Sequence, residues 1–383
     1  MGSYIAGKLA AMGRGVVVLE QHKQVGEKFC CTGIIGQECV NSFATDDNVI
    51  LRQANSARLF SPSGRELRLR REETQACIID RVAFDVAMAG RAQAEGAEYI
   101  LSCLVKNIEA GDDKVRIEAL HDGRRLYFET KAIVIAAGFA SGLTEGLGMG
   151  KSGDFCMGVQ AEVETMGIDE VEVYLGQEIA PGFFAWLVPI SPRRARVGLL
   201  SRHNPGLYLR RLMASLVSQA KIKSAEAEMS YGGIPLKPLP KTYGKRLVVV
   251  GDAAGQVKPT TGGGIYYGLL CADIAANTLY QALESNDLSA KSLSSYEREW
   301  RRRLGRELRI GYWARKVFER LSDRHIDRIL DIIKSNGIDE ALLGAEELSF
   351  DWHGEVILKL IGHRAVAKAT RVVKAPFHLR ARA

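Results

Sequence analysis

The apolar positions of this chain fall into three textures. Residues 16–19, 132–137 and 247–250 are short runs of apolar residues without alternation, as strands covered on both faces of a parallel sheet read. Residues 157–165, 170–175, 183–190 and 194–201 instead alternate apolar and polar between turns, which predicts an antiparallel sheet. Residues 2–12, 80–97, 208–225 and 265 onward carry helical spacing, with Asp80 placed to cap the second of these. Two further alternating pairs, 56–70 around Pro62, Ser63 and Gly64, and 115–130 around His121, Asp122 and Gly123, predict hairpins. After Ser292 the chain reads as helical and basic.

The order of these textures predicts an α/β protein with a discontinuous Rossmann-like domain. Its parts are residues 1–155, carrying a hairpin insertion near 56–70, and residues 240–285. An antiparallel-sheet domain, 156–239, is inserted between them, and a helical basic region, 290–383, follows.

The densest chemistry lies at 247–276. A buried strand ends at Gly251 and Asp252, a loop with Pro259 and the glycines Gly262, Gly263 and Gly264 follows, and a helix starts at Ile265. A helix opening straight after a side-chain-free loop presents unpaired N–H groups and a positive dipole end, so an anion belongs there. At the other end of the chain, a small-residue helix leads to a strand ending on Glu20. That is the second half of a dinucleotide-binding unit whose terminal acid takes ribose hydroxyls. Gly2 fits the last glycine of the fingerprint, which predicts a coding start upstream of Met1; an ordinary helix–strand pair reads equally well.

Composition narrows the classes. Hydrophobic and charged contents of 46% and 25% exclude a disordered chain. A net charge of +7 suits an anionic ligand or an anionic membrane surface better than nucleic acid. Seven scattered cysteines without a CxxC pair speak for a reducing, cytoplasmic setting and against structural zinc, so no metal is expected. From Val356 onward there is no acid, while Lys359, Arg364, Lys368, Arg371, Lys374, Arg380 and Arg382 are spread along the stretch. A peripheral contact with the inner membrane face is therefore the expectation for this region.

In order along the chain, GEKFCCTGIIG, the DRxxFD helix start, AGFAS, FFAWLVP, YGGIPLKP, GDAAGQVKPTTGGGI and YEREWRRRLGREL resemble flavoproteins of the geranylgeranyl reductase family, within the p-hydroxybenzoate hydroxylase fold. The resemblance implies FAD at the glycine corner. Asp252 would then bond ribitol or ribose hydroxyls, Glu20 the adenosine ribose, and Arg81 the flavin. The loop from Pro259 to Gly264 would run beneath the ring system and diphosphate. It also implies a Cys-x-Gly thiol near the flavin: Cys31 fits best, with Cys30 the rival if Lys28 sets the register. Phe183, Phe184, Trp186 and Pro189 would line the cavity for an isoprenoid substrate, whose isolated C=C bonds the enzyme would saturate.

Two departures bear on this reading. The strand and first glycines of the fingerprint are not in the sequence, which opens the alternative of a flavin-less binding protein. Relatives carry an acid where Ala137 stands in AGFAS, which shifts the expected electron donor from NADPH toward a protein such as a ferredoxin. A flavin monooxygenase or halogenase of the same fold is the other alternative. A halogenase would show WxWxIP, and this chain has Phe184 at the first tryptophan.

Overall fold

The computed structural model describes residues 1–362 apart from 28, 29, 44, 140 and 345–348. The first half of the chain runs α1 (Gly2–Ala11), β1 (Val17–Leu19), β2 (Ile34–Gly36), α2 (Gln37–Ser42), β3 (Ile50–Ala54), β4 (Ser56–Phe60), β5 (Glu66–Arg70), β6 (Ala76–Ile79), α3 (Arg81–Ala94), β7 (Glu98–Ile100), β8 (Cys103–Ala110), β9 (Val115–His121), β10 (Arg124–Thr130) and β11 (Ile133–Ile135). The second half runs β12 (Phe155–Glu164), β13 (Val171–Leu175), β14 (Phe184–Ser191), β15 (Arg194–Ser201), α4 (Pro205–Ser218), β16 (Met229–Pro235), β17 (Tyr243–Gly244), β18 (Leu247–Val249), α5 (Ile265–Glu284), α6 (Ala290–Phe318), α7 (Asp323–Ser335), α8 (Ile338–Leu343) and α9 (Gly354–Gly362).

The apolar runs become parallel pairs, β1 with β7 and β11 with β18. The alternating runs 56–70 and 157–201 join in one seven-stranded sheet of order β16-β12-β15-β14-β13-β4-β5, while the 115–130 hairpin pairs with β8 in a separate three-stranded sheet. The 56–70 hairpin leaves the nucleotide layer: β4 pairs parallel with β13, and β5 forms the edge of the large sheet. The helix expected over 208–225 differs. It begins at Pro205, where a proline fits the first turn, and stops at Ser218, because Ala220 turns left-handed with φ 53°. Asp80 caps α3 as its position predicts, accepting from the backbone of Val82 and Ala83. Lys28, Ala140 and the basic residues from Arg364 to Arg382 lie outside the described residues.

The axis of the molecule is α5, which is buried on nearly every side and packs against α1 and α6. The α6 helix buttresses the end of β18 with polar contacts that its sequence makes available. Tyr296 Oη donates to the carbonyl of Val249 at 2.8 Å and accepts from Gln256 Nε2 at 2.8 Å. Gln256 Oε1 in turn accepts from the Gly251 amide at 2.8 Å, and Trp300 Nε1 donates to Thr242 Oγ1. All these groups are buried, so each bond spares a desolvation cost of about 1–3 kcal/mol and fixes the corner where β18 meets its loop.

Candidate active site

The glycine corner is built as the sequence implies. After β18, Gly251 takes φ 65°, and the loop closes on itself where Lys258 N donates to the Gly263 carbonyl and Gly262 N to that of Lys258. Gly264 precedes α5 with no side-chain cap, leaving the first amides of α5 open. A Cβ on Gly264 would lie 2.8 Å from Asp252 Oδ1, and Gly262 stands at φ 77° with Ile234 against it. Both positions therefore need glycine. Pro259 and Ile265 are buried, while Asp252 keeps solvent access.

Arg81, at the first turn of α3, pairs with Asp85 at 2.9 Å. Burial raises the carboxyl of Asp85 from its ordinary range, and the Arg81 charge draws it back. Gly2 lies against Ala136 at the end of β11, and Met1 packs on Gly251. The structure thus brings Gly2, Arg81, Gly251 and Asp252 together. Glu20 sits at the end of β1, where its Oε1 accepts from the backbone amide of His22 at 2.9 Å and meets His22 Nδ1 at 2.7 Å. Open amides, an uncluttered rim, an accessible acid and a nearby guanidinium fit a ligand that carries both phosphates and hydroxyls.

The cysteine loop is bolted to the large sheet. Thr32 Oγ1 donates to Gln160 Oε1 at 2.9 Å, Gln160 Nε2 donates to the Cys31 carbonyl, and Arg196 donates to the carbonyls of Thr32 and Ile79. Gly33 takes φ 73°, and a Cβ there would sit 2.5 Å from the Ile79 carbonyl, which gives the glycine of the Cys-x-Gly pattern its physical reason. The two thiols point differently. Cys31 packs against the core around α5, whereas Cys30 lies on Gly232 of β16 and its Sγ donates to the Ser230 carbonyl at 3.4 Å. Burial pushes the Cys30 thiol up, and the hydroxyl of the Ser230 side chain offsets part of that.

The face of the sheet under this loop is floored by glycine. Gly158 pairs with Gly232, and Gly198 pairs with both Gln160 and Trp186, whose ring lies across it. Leu200 and Ile234 lean over Gly158 and also meet Gly262 of the glycine loop. Phe184 and Trp186 lie on this face, their ring centroids 5.8 Å apart. Pro189 does not join them. It pairs with Ala195, whose side chain belongs to the cluster under α4, so strand alternation turns it to the opposite face. Phe183 precedes the strand and is buried beneath Arg315.

Sequence reasoning missed four groups. Gln160 and Arg196 hold the cysteine loop. Arg315, buried against Phe183 and Phe318, donates to the carbonyls of Gly182 and Thr260 and so ties α6 to the glycine loop. Lys258, inside GQVKPTT, points inward to Asp351 at 3.2 Å and to the Phe350 carbonyl at 3.0 Å. The available signals were a polar residue at an inward position of a strand and glycines inside strand patterns.

The segment around Asp351 holds the outer side of the glycine loop. His353 Nε2 donates to the Phe350 carbonyl at 2.9 Å, which leaves Nδ1 to accept from Thr260 Oγ1 at 2.7 Å. Burial, with Lys258 nearby, pushes the imidazole down to about 4. A folded value below the unfolded one means that the unfolded chain binds the proton first, so stability falls as pH drops from about 6.5 to about 4. The expected loss is on the order of 2 kcal/mol. Thermal unfolding measured across that window should show the loss in the parent protein and a smaller one in His353→Gln.

Among the described residues no cluster of three His, Cys, Asp or Glu side chains could hold a metal ion. No protein-family profile matches the chain. Curated relatives do. Digeranylgeranylglycerophospholipid reductase of Methanocaldococcus jannaschii is 30% identical over 352 residues, covering 88% of this chain and 89% of the relative. The protein of the same name from Methanothrix thermoacetophila is 28% identical over 356 residues, covering 88% and 90%. Among solved structures, a geranylgeranyl bacteriochlorophyll reductase-like protein from Thermoplasma acidophilum superposes with a TM-score of 0.84 at 23% identity, over 97% of this chain and 96% of that one. The halogenase PltM, solved in complex with FAD, gives 0.66 at 13% identity, over 97% and 92%. The halogenase shares the fold; the sequence relationship, spanning nearly nine tenths of both chains, is with the reductases, and the chain belongs to the digeranylgeranylglycerophospholipid reductase family.

Proposed function

We propose that this protein binds FAD along the groove between Arg81, Asp252 and the glycine loop and saturates C=C bonds in the geranylgeranyl chains of a glycerophospholipid. The observation that carries this reading is the convergence on β16. Cys30 rests on Gly232 and Gly262 of the glycine loop on Ile234, two positions that strand alternation puts on one face. One strand is thus the shared wall of the anion corner and the apolar, glycine-floored sheet, so a chain lying on that sheet comes beside whatever the glycine loop holds.

Bound and reduced, FAD would provide the hydride for one alkene carbon, and the other carbon would need a proton. Cys30 is the group placed to hold it: burial keeps the thiol protonated, and it faces the sheet. Trp186, Phe184, Leu200 and Ile234 exclude water and lay the chain flat, which an unactivated alkene requires. Ala137 stands where the family resemblance implies an acid in many members, which tilts the expected donor from NADPH toward a ferredoxin-type protein.

The test is mass spectrometry of lipids from cells expressing this chain beside a geranylgeranyl lipid pathway, under anaerobic conditions. The expected result is a series of products each heavier by two hydrogens. Unchanged lipid masses from a chain that holds flavin would overturn the substrate assignment, and oxygenated products would assign a monooxygenase instead.

A further inference from the structure

We infer that the outer face of α6 docks on an anionic lipid surface, with Trp313 as its interfacial anchor. Arg298, Arg302, Arg306, Arg309 and Trp313 are spaced four, four, three and four apart, which puts them on one stripe of the helix. All five are exposed, Trp313 at 48%, while the opposite stripe, Tyr296, Trp300, Leu304 and Leu308, is buried in the core. The stripe runs about 22 Å along the helix.

Its charge is left over. Arg302 pairs with Glu299, but no carboxylate among the described residues forms an ion pair with Arg298, Arg306 or Arg309. An arginine row of this kind would be a solvated face but for two apolar features beside it. Trp313 is large, half-exposed and continues the row, and tryptophan is the side chain that settles at a membrane–water boundary. The second feature is α9, whose first residue is held by Glu307 of α6 through the Gly354 amide at 2.9 Å and lies against Ile310. Its sequence, GEVILKLIG, is mostly apolar, and Leu358 and Lys359 face outward. Residues 363–383 contain no Asp or Glu.

The row complements anionic headgroups, and the tryptophan and apolar helix complement the acyl boundary beneath them. An acidic electron-carrier protein would use the arginines but has no need of the apolar pair, which is why lipid is the occupant the surface fits. Docking there would bring the enzyme to a phospholipid substrate; in that sense the inference rests on the proposed function, although binding can be read without flavin or turnover. No helix among the described residues is long and apolar enough to cross a membrane, so attachment through this face would be peripheral.

The experiment is co-sedimentation of the full chain with vesicles of phosphatidylcholine alone and with added phosphatidylglycerol. Binding is expected only to the anionic vesicles and should weaken with salt. The triple variant Arg298→Glu, Arg306→Glu, Arg309→Glu should lower the partition constant by about a hundredfold. Trp313→Ala should lower it several-fold with unchanged salt dependence. Circular dichroism of each variant separates these losses from misfolding. Equal binding to neutral and anionic vesicles, or full binding by the folded triple variant, would overturn the inference. So would a triple variant that still binds vesicles but has lost reduction by an acidic electron carrier, because the row would then be a protein-docking surface. Failure here leaves the reductase assignment standing, since the lipid-mass experiment reads it separately.

Discussion

Replacing Cys30 with alanine is expected to cost about 10²–10⁴-fold in the rate of alkene reduction while leaving flavin absorbance intact. Cys31→Ala should change the rate only a few-fold. The contrast follows from placement. Cys30 faces β16 and the glycine-floored sheet, whereas Cys31 is turned into the core and meets the sheet through its backbone carbonyl, which accepts from Gln160. Serine at position 30 should recover part of the rate, because a hydroxyl in the same place also holds a proton but yields it less readily. Burial raises the Cys30 thiol, so the rate should hold steady through neutral pH and decline only once the thiol ionises, at more alkaline pH than for an ordinary cysteine. Single-turnover reduction measured against pH in the parent and both variants checks this; a larger loss in Cys31→Ala would transfer the role to Cys31.

That pair marks the boundary of what a linear reading could resolve. The glycine corner was legible because strand, acid, glycines and helix are consecutive, and local rules of backbone conformation fix their meaning. The same holds for Asp80 and α3, where cap and helix are neighbours in sequence. The choice between two adjacent thiols was not legible, since it depends on how the loop passes Gln160 and Arg196, residues more than a hundred positions away. The 56–70 hairpin is legible as a hairpin, and the sheet it joins is not. Its alternation specifies a half-buried pair but says nothing about which sheet receives its edge, and the partner, β13, lies far along the chain. Pro189 sits in FFAWLVP beside Trp186, yet strand alternation sends the two to opposite faces, a period-two rule that could have been applied beforehand. The Lys258–Asp351 contact joins residues 93 positions apart, and nothing near Asp351 in the sequence announces it.

Lys258→Met is expected to destabilise the protein by about 3–5 kcal/mol, because it strands a carboxylate in a site where neither partner reaches water. The side chains of Lys258 and Asp351 are 6% and 2% exposed, and a Cβ on Gly36 would fall 2.0 Å from Asp351 Oδ2, so the acid has no room to turn away. Burial pushes each member toward its neutral form and the partner's charge pulls it back; with the lysine gone, the push on Asp351, to which Glu38 adds, outweighs the hydrogen bond from the Cys39 backbone. Its folded carboxyl then titrates above the unfolded one, so stability is present at low pH and lost as pH rises through the folded value. The deficit of Lys258→Met should therefore be smallest near pH 4 and grow toward neutrality. The double variant Lys258→Met with Asp351→Asn should regain most of the loss, since an amide can stay buried at far lower cost than an unpaired charge. The effect should appear first at the glycine loop. Lys258 begins the turn that closes on Gly262 and Gly263, and the segment it grips also holds Thr260 through His353. Flavin fluorescence followed on heating should thus report cofactor release in Lys258→Met several degrees before far-ultraviolet circular dichroism reports unfolding, whereas the two transitions should coincide in the parent protein. Coincident transitions in the variant would mean that the pair supports the fold as a whole and has no particular hold on the loop.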